Sequence, residues 1–115
     1  MAVFNASFQV LAGREADARA FAEEAASSHG DHYSALMKET ATSRVTWTIQ
    51  ESPSGTLLNV WFEADDAAAA FEHFATATVE AAEWFRGRIS TTLGLDMTQP
   101  LPGPPPEVVL DFRPT

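Results

Sequence analysis

His29, His32 and His73 are the side chains best suited to move a proton here, because an imidazole titrates closest to neutrality. His29 and His32 stand one helical turn apart, a spacing that chelates a metal when the helix is continuous. Gly30 lies between them and argues against a rigid helix. The pair therefore reads as a solvated helix break, the alternative being His32 and Tyr33 at the mouth of a pocket. His73 neighbours Phe74, and a step of about 100° per residue leaves two orientations open, outward or pocket-lining. Trp47, Trp61 and Trp84, with Phe85, supply flat apolar surface suited to packing in a core or interface, and Trp61 or Trp84 to stacking a planar aromatic ligand. Arg86 and Arg88 can pair with an anionic group of a substrate or with Glu80 and Glu83 nearby. No nucleophile motif, phosphate-cradling glycine loop or metal-ligand cluster of recognised spacing occurs. Chemistry without a metal or a cofactor is the expectation.

A second group is uncharged. In VTWTIQESPSGTLLNVWFE, residues 45–63, the alternation puts Thr46, Thr48, Gln50, Asn59 and Trp61 on one face of a hairpin. The first segment does the same with Asn5, Ser7 and Gln9 opposite Phe4, Ala6, Phe8 and Val10. A face exposed to water normally carries charge, and a dry core does not carry amides. Such a face fits an enclosed, partly polar space formed with a second copy of the chain.

The elements that must hold these residues follow from period and punctuation. The first strand ends before Gly13, and a helix over 14–28 packs Ala18, Phe21, Ala22 and Ala25. Residues 27–31 weaken it, so that it either kinks at Gly30 or restarts with Asp31 as N-cap. Strands over 44–51 and 56–64 flank the turn residues Ser52, Pro53, Ser54 and Gly55. Asp65 and Asp66 start a helix over 67–77 that packs Ala70, Phe71 and Phe74. A further helix over 79–93 carries Trp84, Phe85, Ile89 and Leu93 and closes at Gly94. Residues 99–106 form a proline-rich extended connector, and 107–112, with Val108, Leu110 and Phe112 alternating, read as a fourth strand. The order defines an α+β, ferredoxin-like fold: one domain over 1–115, with a four-stranded antiparallel sheet and helices on one face.

The bulk properties narrow the partners. A formal charge of −9, from 16 acidic and 7 basic residues, repels phosphate backbones and argues against nucleic acid. No apolar run is long enough to span a membrane and no leader is read at the start, so a soluble chain is expected. With no cysteine, a reducing cytoplasm is the default setting.

Residues 60–66, Val-Trp-Phe-Glu-Ala-Asp-Asp, followed by Ala70-Phe71, resemble the antibiotic biosynthesis monooxygenase-like superfamily, and the element order over 2–93 fits with them. The resemblance implies a dimeric α+β barrel in which two sheets face each other, enclosing Asn5, Thr48, Asn59 and Trp61. It also implies a cofactor-independent oxygenase, isomerase or lyase acting on a hydrophobic, aromatic or polyketide-like substrate. In that reading Asn59 orients a substrate oxygen, Trp61 stacks and His73 or His32 moves a proton, while Asn5, Thr48, Phe74, Trp84 and Arg86 shape the pocket. The haem-degrading branch is not implied: its Trp and His would fall on Phe74 and Trp84, leaving only Asn5 in place. The proline connector departs from the family pattern, and the last strand is expected to cross onto the partner. A homodimer without catalysis, its amides paired across a wet interface, is the alternative.

Overall fold

Alternating large and polar residues at the start of the chain become β1 (Ala2–Gln9), its Phe4 and Phe8 half-buried and its Asn5, Ser7 and Gln9 exposed. The computed structural model describes residues 2–99, 106–112 and 114. After β1 come α1 (Glu15–Ala26), α2 (Gly30–Glu39), β2 (Thr42–Ser52), β3 (Gly55–Ala64), α3 (Ala67–Thr76) and α4 (Glu80–Leu93).

The break between α1 and α2 falls where serine, histidine and glycine weaken the helix. Ser27 and His29 donate their backbone N–H groups back to Glu23 and Glu24, closing α1. The restart is earlier than Asp31: His29 is the N-cap of α2, and Asp31 sits in its first turn, where its charge complements the unpaired amides. At α3 the expected cap is in place, with Asp66 accepting from the Ala69 N–H at 3.0 Å. Gly94 ends α4 in the left-handed conformation, φ 69°, that glycine adopts without a Cβ penalty.

The sheet order is β1-β3-β2, with both pairings antiparallel. β1 and β2 therefore run the same way with β3 between them, the split β-α-β arrangement. Among the described residues the sheet has three strands, not four. Residues 106–112 pair with none of them, and Val109, Leu110 and Phe112 are 86%, 79% and 75% exposed. Their alternation expresses a preference for a pleated, half-buried surface, which a segment realises only against a partner strand. Most of the proline connector, residues 100–105, lies outside the described residues.

All four helices cover one face of the sheet, and none among the described residues is long and apolar enough to cross a membrane. The core centres on Phe21, fully buried, whose ring lies 5.0 Å from Trp47 and 5.4 Å from both Trp84 and Phe85. Arg88 of α4 passes over Phe21 and Trp84 and pairs with Glu24, tying α4 to α1. A second cluster at the far end stacks Phe4 on its cross-strand neighbour Phe62 at 4.9 Å and on Phe71 at 5.4 Å.

Candidate functional site

The uncharged residues do share one face, the face away from the helices. Register places Asn5, Trp61 and Thr46 in one row and Ser7, Asn59 and Thr48 in the next. Asn59 is the hub of this surface. Its amide oxygen accepts from the Ser7 hydroxyl at 2.7 Å, and its NH₂ donates to the Thr48 hydroxyl and the Gln50 side-chain oxygen Oε1, each at 3.2 Å. Trp61 carries the Arg44 guanidinium at 5.7 Å from its ring centroid. Asn5 makes no side-chain hydrogen bond among the described residues and stands open beside Trp61. This face can orient polar groups, and among the described residues it holds no acid–base pair hydrogen-bonded to Asn59.

Within the single chain, a cavity lies on the opposite face. Phe8, Trp47, Leu58, Val60 and Phe62 of the sheet and Phe74, Phe85, Ile89 and Leu93 of the helices surround a cavity of about 60 Å³. Its wall is almost wholly apolar, and such a cavity stays dry. Rigid rings on both sides account for the gap, since they cannot flex to fill it as aliphatic side chains do. Beside it, an open groove of about 370 Å³ runs between α1, α2 and the edge strand β2, floored by Ala22, Ala25, Ala26 and Gly30 and flanked by Met37. Tyr33, Val45 and Trp47 belong to both walls, so these three side chains separate groove from cavity.

Tyr33 is the polar group at this boundary. Its ring lies 6.0 Å from Trp47 and 5.9 Å from Phe85. The hydroxyl has no hydrogen-bond partner among the described residues, and burial pushes its pKa well above the ordinary phenol value. It therefore stays protonated and serves as a donor.

The remaining candidates stand elsewhere. His73 Nε2 lies 3.0 Å from Glu39 Oε2 on the outer side of α3, joining it to α2, so the outward orientation is the one adopted. His32 lines a separate surface groove of about 210 Å³ with Glu39 and Glu80. His29 stacks on Trp84 at 3.9 Å with the planes 9° apart, and Arg88 also approaches that indole. Trp84 is thus covered by the protein's own groups. Arg86 donates to the Phe74 carbonyl at 2.8 Å, satisfying an end carbonyl of α3, and Phe74 itself lines the cavity. No group of three or more His, Cys, Asp or Glu suited to a metal ion occurs among the described residues.

The structure thus brings Asn5, Thr48, Asn59 and Trp61 together, puts Phe74 in the cavity wall, and leaves His32, His73, Trp84 and Arg86 outside both. Trp47, Val45 and Met37 were not singled out as site residues, although Tyr33, the chain's single tyrosine, sits at a helical spacing with Leu36 and Met37. Fold and site define an α+β protein with a split β-α-β sheet, an aromatic-lined apolar cavity under it, and a groove beside that cavity from which Tyr33, Val45 and Trp47 separate it. Comparison with protein-family models, curated proteins and solved structures gives no match.

Proposed function

We propose that this protein binds a small, hydrophobic, planar molecule in the pocket beneath the sheet. The observation that carries this reading is the pair of adjoining spaces, dry cavity and open groove, that share Tyr33, Val45 and Trp47. Ligand sites are concave, mainly apolar and supplied with few polar groups, and this one fits that description. The cavity alone is too small for an aromatic ring, so the ring occupies the groove, against the Tyr33, Val45 and Trp47 that back onto the cavity. Binding is better supported than catalysis, because the imidazoles considered for proton transfer, His73 and His32, stand outside the pocket. The oxygenase, isomerase or lyase chemistry implied by the antibiotic biosynthesis monooxygenase-like resemblance belongs instead to a space enclosed between two facing sheets, where Asn5, Thr48, Asn59 and Trp61 would line it.

The reading includes a homodimer. The Asn59 network presents uncharged polar groups on the face away from the helices, and the exposed Val108, Leu110 and Phe112 offer a strand to complete a ferredoxin-like sheet on a second copy.

The test is a titration with naphthalene followed by the three tryptophan indole N–H signals in ¹H–¹⁵N spectra. The Trp47 signal is expected to move while that of Trp61 stays. Movement of Trp61 alone, or no movement up to about 1 mM ligand, would overturn the reading.

A further inference from the structure

We infer that Tyr33 selects the ligand: the pocket takes a neutral planar molecule carrying a carbonyl-type acceptor on its inner half, and it rejects carboxylates. This rests on the pocket reading above and adds to it the polarity and charge of the occupant.

The first observation is an unspent donor. Tyr33 is half-buried among Trp47, Phe85 and Val45, and no described residue accepts from its hydroxyl. No fully sealed side-chain N or O lacks a partner among the described residues, so this hydroxyl keeps an opening onto the spaces it borders. Of these the groove is the widest. A half-buried hydroxyl is poorly hydrated, and an acceptor brought by the ligand gives it the bond that no described residue supplies.

The second observation is the rest of the lining. Among the described residues no Lys or Arg borders the cavity or the groove, and Ser34 lies exposed at the outer lip, where water already serves it. A carboxylate entering here would shed its hydration and find one neutral donor in return, inside a chain of formal charge −9. A ketone or quinone oxygen sheds little hydration and gains the full bond.

The third is shape. The small side chains Ala22, Ala25 and Ala26, with Gly30, leave room in the groove beside Trp47, and Met37 adapts to the ligand's rim. A ring system held in the groove against Trp47 and Val45 brings an oxygen on its inner half to Tyr33.

Three probes of one size separate the claims: 2-acetylnaphthalene, 2-ethylnaphthalene and 2-naphthoate, titrated into the wild-type protein and Tyr33→Phe by calorimetry. Wild-type protein is expected to prefer the ketone over the hydrocarbon by about five- to tenfold, the range of one neutral hydrogen bond. Naphthoate should bind most weakly. Tyr33→Phe should make ketone and hydrocarbon equal by weakening the ketone alone. The inference falls if wild-type protein shows no preference, if the preference survives in Tyr33→Phe, or if naphthoate matches the ketone. If the hydrocarbon itself fails to bind wild-type protein, the pocket reading falls first and takes this inference with it. The wild-type ranking tests the claim even should the variant misfold.

Discussion

The Ser7 hydroxyl donates to the Asn59 amide oxygen at 2.7 Å across the centre of a sheet face that no helix covers. With the bonds from Asn59 to Thr48 and Gln50, it links all three strands through uncharged groups. If this face meets its own copy, a charge placed at its hub appears twice near the dyad and repels. Asn59→Arg should therefore convert a wild-type dimer to a monomer at micromolar concentration in sedimentation analysis, with the circular dichroism spectrum unchanged. A wild-type chain that sediments as a monomer, or a variant that remains a dimer, would count against the assembly.

That face was legible from sequence because a strand's period of two sorts side chains without any knowledge of what packs above them. Asn5, Ser7, Thr48, Asn59 and Trp61 fell together for that reason. The pocket was less legible. It depends on where α2 restarts after the break at Ser27 to His29, and on how rigid rings from separate elements fail to meet. His73 illustrates the limit of helical arithmetic, since a position midway between two faces is settled by Glu39, thirty-four residues away. The segment with Val108, Leu110 and Phe112 shows the converse: a sound strand pattern leaves open which edge, on which chain, it pairs with.

Tyr33 is the only tyrosine, so absorbance at 295 nm reads its ionisation alone. Burial raises its folded-state pKa above the unfolded value. The stability this implies is fully present below the ordinary phenol range, near pH 10, and is lost as pH rises beyond it, because only the unfolded chain releases the proton there. The unfolding free energy should decline above about pH 10 with a slope approaching about 1.4 kcal/mol per pH unit from this group. Tyr33→Phe should remove that slope. A tyrosine that titrates normally in the folded protein would contradict the desolvated placement of its hydroxyl.

Arg88 joins α4 to α1 through Glu24 and lies over two rings, 5.5 Å from Phe21 and 5.9 Å from Trp84. Partial exposure limits what the ion pair alone contributes, so most of the effect should come from the stem and the cation–π contacts. Arg88→Ala is expected to cost about 2 kcal/mol in urea unfolding, and Glu24→Gln under about 1 kcal/mol. Equal losses in the two variants would mean that the ion pair, not the packing on Phe21 and Trp84, dominates.

Leu58 is 1% exposed and lines the cavity between Phe8 and Phe62 on the helix side of β3. Leu58→Ala removes three methyl-sized groups from a wall that already borders about 60 Å³ of empty space, so neighbouring rings cannot collapse onto the new void. A loss of about 3 kcal/mol is expected, within the range for leucine truncation in a core that relaxes little. The enlarged, apolar space should stay dry and accept benzene, which the wild-type cavity is too small to hold. Saturating benzene should then raise the melting temperature of Leu58→Ala by several degrees and leave wild-type protein almost unmoved, because a ligand stabilises only the state that binds it. Equal shifts in both proteins would place the benzene elsewhere, and no shift in either would mean that the space beneath Leu58 is filled by its neighbours.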